Sequence, residues 1–289
     1  MLCSLWRVES PKPGIPSLIS ASMIAVLPIL VVIIAFAVYF YLTRWRESEL
    51  LRRPFPASWQ SILATRLPVY FALSPQERAR LQQLIKQFIA DKDFYGCGGL
   101  VITDEIRVTI AAEACLLLLN RGGPVYPRLS SVLVYPTGFL VDRDEHQPDG
   151  TVASGGHSLL GESWSNGRVI LSWDDVEKGA ADFTDGHNVV LHEFAHQLDA
   201  ESGSTNGAPP LRSNSYKAWA SIFSESFEDL RASSLQGHQS VMDQYGAKNP
   251  AEFFAVATET FFEKPDQLYN MYPGLYDELK NYYQIDRVY

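Results

Sequence analysis

The pattern of apolar and polar positions divides the chain into an uncharged beginning, a short basic stretch and a long region of mixed periodicity. From Gly14 to Thr43 there is no charged residue. A helix over about 18–42 of this run would be roughly 37 Å long, enough to cross a hydrocarbon layer of about 30 Å with some tilt. Tyr39, Tyr41 and Trp45 suit an interfacial belt, and a proline such as Pro28 is tolerated inside a membrane helix. A cleaved signal peptide would have a shorter apolar region, and no small-x-small site follows Tyr39-Phe40-Tyr41. The expected organisation is therefore an N-terminal segment over 1–43 with one transmembrane helix, a basic linker over 44–57, and a globular domain over 58–289. Within the linker, Arg53-Pro54-Phe55-Pro56 should not be helical.

Inside the domain the apolar spacing alternates between helical and extended. Ser74-Pro75-Gln76-Glu77 is a capping box with proline at the first helical position. It opens a helix to about Asp91, whose apolar face is Leu81, Leu84, Ile85 and Phe88. Thr103 starts a second helix, apolar through Val108, Ile110, Ala111, Ala112 and Ala114 to about Leu118, and reads as core without chemistry. Ser131 to Pro136, His157 to Trp164 and Arg168 to Trp173 read as strands. The last two are joined by Ser165-Asn166-Gly167 as a hairpin just before the next helix. Between the first two strands, Asp142 to Ser154 is a polar loop. Val190, Leu191, Phe194 and Leu198 then recur at helical spacing, with Thr184 or Asp185 as the expected cap. Ser202 to Ser215 is loop-like, Tyr216 to Leu230 is an amphipathic helix, and Asn249-Pro250 starts another. Pro265 to Tyr283 is a further, Tyr-rich helical segment. Helices with a few strands make this an α+β domain, mostly helical with a small mixed sheet.

Composition narrows the classes. The 289 residues carry a formal charge of −9 at a pI near 5.2, which argues against direct nucleic-acid binding. Cys3, Cys97 and Cys115 form neither a disulfide framework nor a cysteine metal site, so a reducing compartment is expected. Arg44, Arg46, Arg52 and Arg53 after the apolar run outnumber Arg7 and Lys12 before it. The positive-inside rule then gives a single-pass inner-membrane protein with its domain in the cytoplasm.

The stretch that carries chemistry is His192-Glu193-Phe194-Ala195-His196. Residues four apart share a helix face, so both imidazoles can reach one zinc ion. Glu193 can reach a water on that metal without occupying a coordination site, and a metal-acidified water can lose its proton to it. This is the zinc-peptidase pattern. Asp199, three residues after His196, is suited to holding a ligand histidine by its second ring nitrogen. A catalytic zinc needs a third protein ligand. The metzincin extension fails, because Asp199 and Ser202 stand where glycine and histidine or aspartate are required. A glutamate about twenty residues on would fall near Tyr216. Glu225, Glu228, Glu252 and Glu259 all remain open on composition. His146 and His157 are ligand types, but isolated histidines beside loops are usually solvated.

Three motifs together carry a resemblance. They are His192 to Asp199, the preceding Leu171-Ser172-Trp173-Asp174-Asp175-Val176, and the following Asn249 to Ala257; Gly161-Glu162-Ser163-Trp164 adds to them. From about Phe55 onward the chain closely resembles the Mlc titration factor A (MtfA) family of bacterial zinc peptidases. The resemblance implies a gluzincin-type site with His192, His196 and Glu252 on one zinc and Glu193 as general base. Tyr245 to Ala255 is also similar to the catalytic domain of anthrax lethal factor, which implies Tyr245 as oxyanion stabiliser and leaves Glu259 as a supporting residue. The family further implies aminopeptidase-like activity on peptide or protein substrates and a transcription repressor of the Mlc type as partner. The uncharged N-terminal run departs from the family's soluble members. A rival reading is a membrane-tethered binding module that sequesters such a repressor with peptidase activity secondary; an intact Glu193 favours the enzyme.

Overall fold

The computed structural model describes residues 28–39, 41–42, 49, 51–141, 145–146, 152–153, 157–159, 161–164, 167–212 and 214–285. The chain divides into two compact units, Met1–Glu49 and Leu50–Tyr289. In the first, helix α1 covers residues 28–39 and 41–42, with Ile29, Val32 and Phe36 exposed. Among the described residues no helix is long and apolar enough to cross a membrane. The expected span over about 18–42 falls in part outside the described residues, which do not include 18–27.

The second unit begins with helices α2 (Ala57–Arg66), α3 (Val69–Ala72) and α4 (Pro75–Asp91). α4 starts at the expected capping box: Glu77 N–H donates to Ser74 Oγ at 3.3 Å, and Ser74 N–H donates to Glu77 Oε2 at 2.8 Å. The buried Lys86 on α4 donates to the carbonyls of Leu51 and Arg53, which ties the end of the basic stretch to the domain. Strand β1 (Asp93–Gly96) follows, and then helix α5 (Asp104–Leu116), capped by Thr103, whose Oγ1 accepts from Ile106 N–H.

The main sheet adds β2 (Ser131–Tyr135), β7 (Gly161–Trp164) and β8 (Arg168–Ser172) in the order β1-β2-β8-β7. β1, β2 and β8 are parallel, and β7 joins β8 antiparallel as the expected hairpin. The sheet is thus mixed, in a mostly helical α+β domain. Two short antiparallel pairs lie between: β3 (Phe139–Val141) with β6 (His157–Leu159), and β4 (Glu145–His146) with β5 (Val152–Ala153). The single strand expected over His157 to Trp164 is therefore two, in different sheets.

After β8 comes a helix that the apolar pattern did not show, α6 (Trp173–Ala181), started by Ser172 Oγ accepting from Asp175 N–H. Helix α7 (Val189–Ala200) carries the His-Glu-x-x-His motif. Its cap is Asn188, not Thr184 or Asp185: Thr184 closes a turn on Asp182, and Asp185 accepts from His187 N–H. Helix α8 (Tyr216–Leu235), a short 3₁₀ turn (Gln244–Ala247) and helix α9 (Pro250–Glu263) follow. The C-terminal segment is broken by Pro273 into α10 (Pro265–Met271) and α11 (Pro273–Tyr283), since a proline ring cannot continue the preceding turn.

The core lies where α7 is enclosed by α5, α6, β7 and α9. Phe194 on α7 packs edge-on against Tyr126 at 4.8 Å between ring centroids and against Phe88 at 5.6 Å. Tyr126 in turn donates to Ala114 O at 2.6 Å, locking α5 to the same cluster. On the far side, α9 buries Phe253, Phe254 and Phe261 among Trp219, Phe223, Tyr282 and Tyr283. Phe194→Ala should therefore cost about 3–5 kcal/mol, the usual loss for a fully buried aromatic ring. A urea titration of the purified chain followed by tryptophan fluorescence would measure it. A loss under about 1 kcal/mol would mean that the ring does not anchor α7.

Candidate metal centre

α7 and α9 bring the candidate residues together. His192 and His196 are one turn apart on α7, and Glu252 lies in the first turn of α9, where Asn249 caps the helix. The Nε2 atoms of His192 and His196 lie 3.1 and 3.2 Å from the same oxygen, Glu252 Oε2. The ligand atoms of all three residues fall within 4.8 Å of one another. Two nitrogens and a carboxylate oxygen converging on one point form a borderline donor set that suits a divalent cation such as zinc. Glu225 and Glu228, open on sequence, are exposed on α8, where Glu228 pairs with Arg231. His146 and His157 fall in β4 and β6, and their side chains lie outside the described residues.

The electrostatics favour a cation. Burial works against a charged His192 imidazolium, but the carboxylates of Glu259, Glu252 and Glu193 outweigh it and hold its pKa well above the histidine range. Burial pushes Glu252 up, yet hydrogen bonds and charge from the two imidazoles overcome this and hold its carboxyl well below the usual range. The pocket thus concentrates negative charge around two imidazoles in a poorly solvated place, a field that a bound divalent cation neutralises. Glu193 is only 4 % exposed, and its charge acts on both His192 and Tyr245. Tyr245, on the 3₁₀ turn, is half exposed, and its hydroxyl donates to Glu252 Oε1 at 3.4 Å. Burial and the Glu252 charge push its phenol up to about 12, so it remains a donor at neutral pH.

The supporting residues differ from expectation in one respect. Glu259 Oε1 meets His192 Nδ1 at 2.7 Å, the contact that fixes a ligand histidine's tautomer and ring orientation. Asp199 does not do the same for His196. Its Oδ2 accepts from Gly207 N–H at 2.7 Å, and His196 Nδ1 makes no hydrogen bond. The 202–208 loop turns back so that Gly207, at φ +79°, brings its N–H to Asp199 Oδ2. A side chain there would meet Pro250 O at 2.4 Å, so the same glycine lets the loop lie against the start of α9.

Three residues near the site carry no recognisable signal in the local pattern. Asn188 is buried and reads as one of several polar residues before α7. Glu113 is the one acid in the mostly apolar run 108–116 of α5. Its Oε2 accepts from Asn188 Nδ2 at 2.7 Å. Glu263, one turn after Glu259 on α9, accepts from Gly186 N–H at 2.8 Å.

The sequence profile of the glucose-regulated metallo-peptidase M90 family matches residues 42–284. The chain belongs to this family. Relatives of this M90 chain include an uncharacterized protein, slr2042, of Synechocystis sp., 46% identical over 265 residues, covering 90% of this chain and 96% of the relative. Mlc titration factor A of Serratia proteamaculans is 35% identical over 234 residues, covering 80% and 87%. Mlc titration factor A of Yersinia pestis is 31% identical over 233 residues, covering 80% and 85%. Family membership implies a divalent metal, and His192, His196 and Glu252 are the described M90 residues placed to hold one.

Burial raises the Glu113 carboxyl from 4.5 to about 8, partly offset by its bond to Asn188. A raised folded-state pKa means that the stabilisation is complete below the unfolded value and is lost as pH climbs through about 8. Glu113→Gln, neutral at every pH, should therefore gain in Tm relative to the parent as pH rises from 5 to 9. Thermal melts of the metal-free proteins across that range would show it; parallel curves would mean that Glu113 does not titrate in this way.

Proposed function

We propose that this M90 chain is a zinc-dependent peptidase that hydrolyses peptide bonds, with His192, His196 and Glu252 holding one zinc ion and Glu193 as general base. The convergence of both Nε2 atoms on Glu252 Oε2, beside a buried Glu193, carries the proposal. A zinc ion held by His192, His196 and Glu252 would supply Lewis acidity, lowering the pKa of a water and polarising a carbonyl. Glu193 is the base that would take a proton from an attacking water and return it to the departing amine. Tyr245, reaching over the site from the exposed side, donates to the carbonyl oxygen as negative charge develops there. The half-open Tyr245 side admits a peptide, and a preference for short substrates, aminopeptidase-like, belongs to the same reading. A regulatory role through a repressor of the Mlc type is supported by the names of the Serratia and Yersinia relatives.

Removing the third ligand and removing the base have different consequences. Glu252→Ala loses an anionic ligand, so it should bind zinc much more weakly and be inactive. Glu193→Gln leaves the ligands intact and should keep about one zinc per chain while losing about 10²–10⁴-fold in turnover. Glu259→Ala should lose about 10–100-fold in metal affinity or activity. Metal content by mass spectrometry and turnover on a chromogenic peptide separate these cases. Full zinc in Glu252→Ala would break the ligand assignment, and wild-type turnover in Glu193→Gln would end the hydrolytic reading.

The same proposal includes a membrane anchor, supported by the uncharged run from Gly14 to Thr43 and the arginines after it. Protease added outside spheroplasts should then leave the domain intact while the chain fractionates with membranes. Recovery in the soluble fraction would remove the anchor, and digestion from outside would reverse the orientation.

A further inference from the structure

Behind the candidate ligands, one buried asparagine joins three helices. Glu259 uses both carboxylate oxygens: Oε1 meets His192 Nδ1 at 2.7 Å, and Oε2 accepts from the backbone N–H of Asn188 at 2.6 Å. A carboxylate held by the imidazole alone could swing about its last torsion; the second bond prevents this. Asn188, 1 % exposed, is itself fixed at both ends of its side chain. Its Oδ1 accepts from Leu191 N–H at 2.9 Å as the cap of α7, and its Nδ2 donates to Glu113 Oε2 on α5 at 2.7 Å. α6 leaves room for it at Gly179, where an added Cβ would lie 3.1 Å from both Asn188 Cγ and Nδ2.

Capping alone does not explain this arrangement. A cap needs only the side-chain oxygen, and serine or aspartate supplies it equally well. The contact to Glu113 requires a carboxyl at 0 % exposure, where a polar group costs free energy that an apolar residue would not. The bond therefore acts on geometry: together with the cap to Leu191 N–H it holds the Asn188 side chain between α5 and the start of α7, and so seats the residue whose backbone N–H is aimed at Glu259.

We propose that Glu113, Asn188 and Gly179 are positioning residues for the metal centre, acting through Glu259 on the orientation of His192. This rests on the reading of His192, His196 and Glu252 as metal ligands. Glu113 reaches no ligand directly. It clamps Asn188, Asn188 orients Glu259, and Glu259 holds the His192 ring with Nε2 turned towards Glu252.

The test uses the purified full-length chain in detergent, stripped of metal and titrated with zinc against a chromophoric chelator well below each variant's metal-free Tm. Parent protein that binds no zinc would defeat the ligand reading itself, and this proposal with it. If the parent binds, Asn188→Ser, which retains a capping oxygen, and Glu113→Leu should each weaken zinc by roughly 10–100-fold, the usual effect of losing a ligand's supporting contact. Glu113→Gln, which still offers an oxygen to Asn188 Nδ2, should stay within about threefold of the parent, a difference under about 1 kcal/mol. The Asn188→Ser, Glu113→Leu double variant should be no weaker than the worse single one, because both break the same link. The absorption of cobalt in place of zinc should shift in the weakened variants and not in Glu113→Gln. Gly179→Ala, which crowds Asn188 without touching its partners, gives a further arm should Glu113→Leu fail to fold. Lowered Tm with parental zinc affinity, additive losses, or a Glu113→Gln as weak as Glu113→Leu would each reduce the contact to ordinary packing and overturn the proposal.

Discussion

The structure depends on how α9 is set against α7. α9 places three acids at intervals of seven and four residues, Glu252, Glu259 and Glu263, on one face, and each meets a group of α7 or of the turn leading into it. Glu252 meets the imidazoles, Glu259 meets His192 and Asn188, and Glu263 meets Gly186. Carboxylates are costly to bury unless they are hydrogen-bonded, so sliding one helix by a turn would strand several of them at once. The polar contacts thus define a register that greasy packing between two helices would specify less sharply. The aromatic residues on the other faces supply burial: Phe194 with Tyr126 and Phe88 behind α7, and Phe253, Phe254 and Phe261 behind α9.

The division between apolar and acidic faces also explains the electrostatics. Glu252 is held ionised by the imidazoles it faces, whereas Glu113 and Glu263, further from positive charge, are pushed up to about 8 and about 9 by burial. Acids of one residue type therefore differ in ionisation within a single region, according to whether a cationic partner is near. Negative charge is concentrated at the ligand end of the network and declines towards α5. A divalent cation at the convergence of His192, His196 and Glu252 sits where that field is strongest, and neutral supporting acids add less repulsion of their own.

Local features of the fold were legible where the physics is local. The Ser74 capping box, the Asn249-Pro250 start and the β7–β8 hairpin each depend on residues within a few positions of one another, and each forms as the pattern indicates. The spacing of His192 and His196 likewise follows from helix geometry alone. The cap of α7 was not legible, because Thr184, Asp185 and Asn188 are all competent caps, and the choice is made by Glu259 and Glu113 from distant helices. The third ligand posed the same difficulty. Glu225, Glu228, Glu252 and Glu259 are alike by composition, and only packing puts the first two on the outside of α8. Asp199 shows the reverse case: its position on α7 suits a bond to His196, but its Oδ2 accepts from Gly207 N–H and its Oδ1 does not meet His196 Nδ1. α6 was not legible because its cap, Ser172, lies inside what reads as the end of a strand.

The two sides of the centre are built for different tasks. On the inner side His192 is held through Glu259 by contacts from α5 and the start of α7, so that orienting it takes little reorganisation when a cation arrives. On the outer side Tyr245 stands on a 3₁₀ turn, half exposed, holding Glu252 by a single 3.4 Å bond. That bond is long and easily exchanged; in the proposed reaction a substrate carbonyl would take the hydroxyl from Glu252 without disturbing His192, whose partner Glu259 meets the other ring nitrogen. A rigid interior with one loosely held donor at its mouth suits the proposed reaction, which needs a His192 that does not move and a hydrogen bond that is remade as charge develops. The cost of the rigid half is the burial of several carboxyls, and the surrounding aromatic core offsets it.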